Sequence, residues 1–530
     1  MKESGGYEQF TMEEAQRTAF LERVRAQVSA EDYRIIEGLS LALPEVLALI
    51  EQDPMTLRKL RHTLFGSKTE KTQRVCPAPE PSTPRPKAPR RKRKGHGRHK
   101  ASDYTGARWI QVAHLRLKPG DRCRGCAKGT LRVQARKALL LRIVGSPPIA
   151  ATGYAMERLR CDGCGQVFTA PSPPEAGTQK YDPSAGVTVA LLRYGSGMPH
   201  YRLARLQQSL GVPLPASTQW ELMQPLAQAA QPIWEELIDQ AANAPLIHHD
   251  DTTMRILDLR RSGSASVAQV DPQRKGTFTT NVLAEVQDHA VALYFTGWQH
   301  AGENLATVLN RRATDLDPPI QMCDALSRNL SPKSKTILAH CLSHGRREIV
   351  SVVGKFPEEG RHVLESLGQV YHFDAQAKAR SLSSDQRLLH HQTHSRPVME
   401  ELKTWMQRQF DDKRVEPNSG LGQAMGYLLK YWEPMTLFLR QPGAPLDNNK
   451  CERALKMAIL HRKNSLSYKT LNGARTGDLF MSLIHTCQLN GINPFDYLLA
   501  IATHAQAVTL IPKAWLPWNY PRFPAPSDTH

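Results

Sequence analysis

The sequence predicts a multidomain α/β protein: a strand-bearing domain with a helical insertion, preceded by a small cysteine-paired module and by helical segments. Three observations carry this reading. The chain has 530 residues, more than one compact core normally organises. Its apolar pattern is helical over 176–245, changes to strand composition over 246–324, and is helical again over 340–440. Two C-x-x-C pairs fall within 101–175, and the stretch between them, including Ala138 to Val144, reads as strands.

Residues 1–75 read as a helical segment, with Leu57, Leu60 and Leu64 on one face and Gly66 as a C-cap. Pro44 and Pro54 exclude a long coiled coil. Residues 76–100 form a linker: prolines stiffen it, and Arg90-Arg91-Lys92-Arg93-Lys94 makes it strongly basic. A basic arm of this kind gains affinity for DNA by releasing counterions, and Arg91 and Arg93 are candidate backbone contacts. Over the whole chain 69 Lys and Arg face 50 Asp and Glu, a net charge of +19, which points to a polyanionic partner.

The nine cysteines are an odd number, and Cys76, Cys323, Cys341, Cys451 and Cys487 are scattered. That usage suits a reducing compartment and excludes a disulfide framework. The other four, Cys123, Cys126, Cys161 and Cys164, form two knuckles turned by Gly125 and Gly163. Four soft thiolates at this spacing suit a structural Zn²⁺ in a zinc-ribbon-like module, with no open position for a catalytic water. The opening residues Met-Lys-Glu-Ser-Gly-Gly begin no apolar leader, and no run of ~18 apolar residues predicts a membrane span.

Residues 176–245 read as helices, with Tyr201 to Trp220 resembling a helix-turn-helix DNA-binding segment. In that reading Gly211 makes the turn, Ser217 caps the second helix, and Gln219 faces a groove; a plain helical hairpin is the alternative. Strands follow over 277–286 and 290–296, with Gln287-Asp288-His289 as their turn.

Three acidic positions stand out. Asp250-Asp251 is a carboxylate pair interrupting a strand, and alternation allows only one of the two to face a given site. Asp324 closes the apolar run Ile320 to Cys323, at the end of another strand. Glu452 lies at the start of a helix, where it could also complete a capping box with Asn449. Hard carboxylate oxygens in such a set suit Mg²⁺.

Several motifs together resemble the transposases of the insertion-sequence 66 family, from about residue 57 to 500. They are Leu64-Phe65-Gly66-Ser67-Lys68-Thr69-Glu70, Gly95-His96-Gly97-Arg98 with the cysteine knuckles, and Pro199-His200-Tyr201-Arg202. The strongest are Leu446-Asp447-Asn448-Asn449-Lys450-Cys451-Glu452-Arg453, His461-Arg462-Lys463-Asn464 and Asn490-Gly491-Ile492-Asn493-Pro494. The resemblance implies an RNase H-like catalytic domain over 246–475, its helical insertion at about 340–440, and a C-terminal helical segment and tail over 476–530. It implies an Asp-Asp-Glu centre at Asp250, Asp324 and Glu452 holding Mg²⁺ (or Mn²⁺) for DNA cleavage and strand transfer. Family members carry Glu where this chain has Asp251, and the segment after Asp324 departs from the family pattern, so Asp315 and Asp317 stay open as alternatives.

Arg346 and Arg347, after His340-Cys341-x-x-His344, are expected to contact DNA, as are Arg462 and Lys463. His390-His391-x-x-His394 reads as an exposed polar helix. The implied partners are the element's terminal inverted repeats and target DNA, further copies of the chain in a homo-oligomer, and accessory proteins of the same element. The implied location is cytoplasmic and nucleoid-associated. A catalytically decayed copy acting as a non-enzymatic DNA-binding protein is the alternative, and a nuclease without strand transfer is a third.

Overall fold

A computed structural model of the chain describes residues 14–25, 117–123 and 128–133, isolated positions between them, and 146–520 apart from 161, 163, 165, 261–275 and 331–334. The expected helix over 57–64, the linker with Arg91 and Arg93, and Ala138 to Val144 lie outside the described residues, apart from Ile143. In chain order the elements are α1 (Glu14–Arg25), β1 (Arg158–Arg160), β2 (Val167–Thr169), α2 (Pro183–Ala190), α3 (His200–Ser209), α4 (Ala216–Ala242) and β3 (Leu246–Thr253). Then follow β4 (Phe278–Val286), β5 (His289–Gly297), α5 (Ala301–Leu309), β6 (Ile320–Cys323), β7 (Ile337–His340) and α6 (Leu342–Val352). The last are α7 (Pro357–Ala379), α8 (Ser384–Asp411), α9 (Gly420–Lys430), α10 (Asn449–Ser465), α11 (Leu471–Leu489), α12 (Pro494–Thr503) and α13 (Ala505–Leu510). They group into two units, Met1–Glu80 with His344–Lys430, and Pro81–Ser343 with Tyr431–His530.

The second unit is built on a five-stranded sheet of order β5-β4-β3-β6-β7. The pairs β5/β4 and β4/β3 are antiparallel, while β3/β6 and β6/β7 are parallel. The hairpin turn expected at Gln287-Asp288-His289 is present, and Gln287 takes a positive φ of 50° to make it tight. β3 runs unbroken through Asp250 and Asp251, because β4 pairs with it as far as Thr253. The expectation that the acidic pair interrupts the strand is therefore corrected.

β4 is buried along most of its length, so both faces of the sheet are covered. One covering helix is α4, whose Met223, Leu226, Ala230, Ile233, Leu237 and Ala241 recur at helical spacing and are buried. This revises the helix-turn-helix expectation. α3 and α4 do form a helical pair, with Gly211 at φ 76° in the connection. Pro215, not Ser217, is the N-cap of α4. Gln219 is fully buried, its amide bonded to the carbonyls of His200 and Leu214 at 3.1 and 2.9 Å, so it presents nothing to a groove.

The β5 edge of the sheet is sealed by α11. Four side chains spaced by one helical turn accept successive outward N–H groups: Asp478 from Thr296 (2.7 Å), Ser482 from Tyr294 (2.9 Å), Thr486 from Ala292 (3.1 Å) and Asn490 from Ala290 (3.1 Å). Edge N–H groups left bare would invite another strand. The proline-rich tail is packed up to residue 520. Trp515 and Leu516 are buried, the Tyr497 hydroxyl donates to the Trp515 carbonyl at 2.8 Å, and Trp518 stacks on His289.

The first unit contains the antiparallel pair α7 and α8, joined through Ser381 at φ 50° and a capping box between Ser383 and Gln386. Its centre is polar. Asp374 is buried and takes bonds from Arg387 (2.7 Å) and Lys378 (2.6 Å), and lies 3.4 Å from His391, whose other nitrogen meets Ser395 Oγ at 2.9 Å. His390 and His391 are therefore buried, not exposed as expected. A carboxylate on the neighbouring helix provides the partner that makes burial tolerable.

Candidate active site

The parallel register pairs Leu246 with Ile320, Ile247 with Gln321 and His248 with Met322. Asp250 stands two residues beyond His248, and Asp324 two beyond Met322. Side chains two apart share a face, so the register brings both aspartates to the same face, Asp324 just past the end of β6 and Asp250 on the adjacent β3. Ile320 to Cys323 are all buried, and Asp324 is the first residue after them. Its carboxylate accepts from the Leu326 N–H at 3.2 Å and from the Asn329 amide, which folds the following turn back over it. Asp315 and Asp317 are exposed in the loop before β6, at the end of the sheet away from Asp250.

Burial, the Asp324 charge, and lesser contributions from Asp251 and Glu452 push the Asp250 carboxyl up to about 7, against one lowering bond from the Asp251 N–H. The buried thiols on either side report the same charges. Burial and then Asp324 push the Cys323 thiol up, and burial and then Asp250 and Glu452 push up Cys451. Asp250 on β3 thus feels the charge of Asp324, just past β6, and more weakly that of Glu452 on α10. Neighbouring like charges of this kind favour protons or cations among them.

Several contacts fix α10. Asp447 accepts the Asn449 N–H at 3.1 Å and the Asn449 amide at 2.8 Å. The Leu446 carbonyl accepts from Leu342, Cys451 Sγ lies 3.3 Å from Asn281 Oδ1, and the Tyr294 hydroxyl donates to the Ala454 carbonyl at 2.7 Å. The N-cap is Asn448, whose side chain makes no capping bond, so the alternative of a capping box between Asn449 and Glu452 does not hold.

Asp251 points to the other face of β3. It lies 3.3 Å from His300 Nδ1, 3.4 Å from the Ala301 N–H at the start of α5, and 3.1 Å from the Arg328 guanidinium. The acidic pair is therefore divided, one carboxylate with the cluster and one locking α5 and the 327–329 turn. Arg462 reaches β3 as well, donating to Thr252 Oγ1 at 2.8 Å and to the Thr253 carbonyl at 2.6 Å, while Lys463 is exposed. Arg346 and Arg347 are half-buried on α6, with Arg347 3.3 Å from His344.

The cysteine module is described in part. Arg122 bridges Thr130, and the Cys123 N–H donates to the Gly129 carbonyl at 2.7 Å, so Cys123 and Cys126 lie in a tight turn. N–H groups of Gly129 and Lys128, and then the Cys123 thiol, lower the Cys126 thiol. β1 and β2 pair with Arg160 opposite Val167, so Cys164 sits in a second hairpin turn, and Cys161 lies outside the described residues. The exposed Cys126 thiol, held toward thiolate by backbone donors, fits a soft cation.

Sequence reasoning missed Asn448, Arg328 and the structural task of Arg462. Their partners lie far off in sequence, and the one local hint was an asparagine directly before a helix. No helix among the described residues is long and apolar enough to cross a membrane. Two proteins of Sinorhizobium fredii (strain NBRC 101917 / NGR234) are similar to this chain. One, named uncharacterized protein y4jD, is 26% identical and covers 76% of this chain and 79% of its own length. The other, named uncharacterized protein y4hP, is 24% identical, covering 69% and 67%. Residues 179–476, which span all three carboxylates, match the family described as Transposase IS66 family, and the chain belongs to that family.

Proposed function

We propose that this chain is a DNA transposase with an Asp-Asp-Glu centre at Asp250, Asp324 and Glu452 in an RNase H-like domain. The observation that carries the reading is the parallel register of β3 and β6, which sets Asp250 and Asp324 on one face; burial and then the Asp324 charge push the Asp250 carboxyl up to about 7. Hard oxygen donors with unbalanced negative charge suit Mg²⁺ or Mn²⁺, and the three residues would hold it. Bound there, divalent ions would supply activation of the attacking hydroxyl and charge for the leaving oxygen of a phosphodiester.

The chain's own groups do the rest. Burial and the neighbouring carboxylates hold the Asp250 carboxyl up at about 7, and a cation held there would favour its ionised form. Asn329 and the Leu326 N–H orient Asp324. Asp251 takes up Arg328 and keeps α5 in place, outside the reaction. Cys123, Cys126, Cys161 and Cys164 would hold a structural Zn²⁺ in a module that recognises terminal repeats. Arg91, Arg93, Arg346, Arg347, Arg462 and Lys463 are the proposed contacts to DNA phosphates, and copies of the chain would assemble on the DNA. The proposed location is cytoplasmic, associated with the nucleoid.

A strand-transfer assay with Mg²⁺ on element ends tests this, comparing the parent with Asp250→Asn, Asp324→Asn and Glu452→Gln. Joined products lost in all three variants are expected. Unchanged joining in any one removes that residue from the centre. DNA binding with no cleavage by the parent points to the decayed copy, and cleavage without joining to a nuclease.

A further inference from the structure

Asn448 is completely buried, although the first turn of a helix does not demand a buried amide. Its carbonyl starts α10 and accepts the Glu452 N–H at 3.1 Å. Its side chain crosses to β3. Nδ2 donates to the His249 carbonyl at 3.0 Å, which fixes the amide's orientation and leaves Oδ1 3.0 Å from His248 Nδ1. Oδ1 can only accept, so Nδ1 of His248 carries a proton. The Asn448 N–H donates to Cys341 Sγ at 3.2 Å, just past the end of β7. His248 Nε2 in turn lies 3.9 Å from Glu285, which pairs with Lys450 on the same first turn of α10.

These bonds join the turn that carries Glu452 to the strand that carries Asp250, two residues before that aspartate. A buried amide costs stability unless its donors and acceptors are paired, and an apolar side chain of the same size would fill the space more cheaply. Here the amide's partners are the backbone and side chain of β3. We infer that Asn448 is a positioning residue: its amide, held on His248 and the His249 carbonyl, sets the Glu452 carboxylate against Asp250. The inference rests on the reading of this centre as a divalent-cation site for phosphodiester cleavage.

Two substitutions in the full-length protein test it, Asn448→Ala and Asn448→Leu, the second filling the space without the bonds. Mn²⁺ binding is followed by electron paramagnetic resonance, and cleavage of element ends is followed against Mn²⁺ concentration, with Asp250→Asn alongside. Both Asn448 variants should bind Mn²⁺ about 10- to 100-fold more weakly and recover part of their cleavage at high Mn²⁺, as orienting partners of metal ligands do. Unchanged Mn²⁺ dependence in both, with cleavage abolished in Asp250→Asn, overturns the positioning role and leaves the catalytic reading standing. Cleavage that survives in Asp250→Asn, or is absent from the parent, overturns the catalytic reading, and the Mn²⁺ titration then decides the role of Asn448 alone. Loss of folded protein in both variants, read from melting curves, assigns Asn448 to stability and overturns the inference.

Discussion

Replacing Asp250 by asparagine should stabilise the metal-free protein while it ends cleavage. Burial, the Asp324 charge and the other carboxylates push the Asp250 carboxyl from 3.8 up to about 7. Between those values the folded chain binds more protons than the unfolded chain, so this group's contribution is most favourable below 3.8 and is lost as pH rises through about 7. At pH 8 the accumulated cost corresponds to about 4 kcal/mol as an upper bound, and to about 2 kcal/mol once water and counterions screen a half-buried carboxylate. Asparagine cannot ionise and avoids that cost. Thermal melts in magnesium-free buffer at acid, neutral and alkaline pH measure the difference. The variant should match the parent at about pH 4 and exceed it by several degrees at about pH 8. Mg²⁺ should then raise the parent and leave the variant almost unmoved. A variant that melts at or below the parent at alkaline pH would refute the burial and like charge placed on Asp250, and the centre built on them.

Three further outcomes are expected. Cys123→Ser combined with Cys161→Ser should lose the zinc found by metal analysis of the purified parent, and full retention of zinc would place that metal elsewhere. Thr486→Val leaves the Ala292 N–H without its acceptor, and chemical denaturation should show a loss of about 1–3 kcal/mol; no loss would mean that water reaches the strand edge. Burial alone would raise the Asp374 carboxyl, but bonds from His391 and Lys378 and the charge of Arg387 hold it well below the usual carboxylate range. Its contribution is therefore present above the ordinary value of 3.8 and lost as pH falls through the folded one. Asp374→Asn should cost about 3 kcal/mol near neutral pH and much less in strong acid, and a pH-independent difference would show that the charge is not what stabilises the α7–α8 pair.

The two aspartates that the register sets on one face stand out in the sequence because each sits at a break in an apolar pattern. Asp324 ends the buried run Ile320 to Cys323, and Asp250 has only one neighbour competing for its role. The strand hairpin and the helices after residue 340 were equally legible, since their periodicity is local. What failed was whatever a distant partner decides. Gln219 looks like a surface residue until the carbonyls of His200 and Leu214 come to it. His391 looks exposed until Asp374 arrives from the preceding helix. Asn448 meets His248 across 200 residues of chain, and no spacing rule reaches that far.

The side-chain ladder that α11 lays along β5 limits how copies of this chain can join. Asp478, Ser482, Thr486 and Asn490 occupy the positions that a visiting strand would need. Continuous sheet cannot grow outward from that border, so any contact between copies of this chain has to use other surfaces, and runaway stacking of newly made protein is blocked on that side.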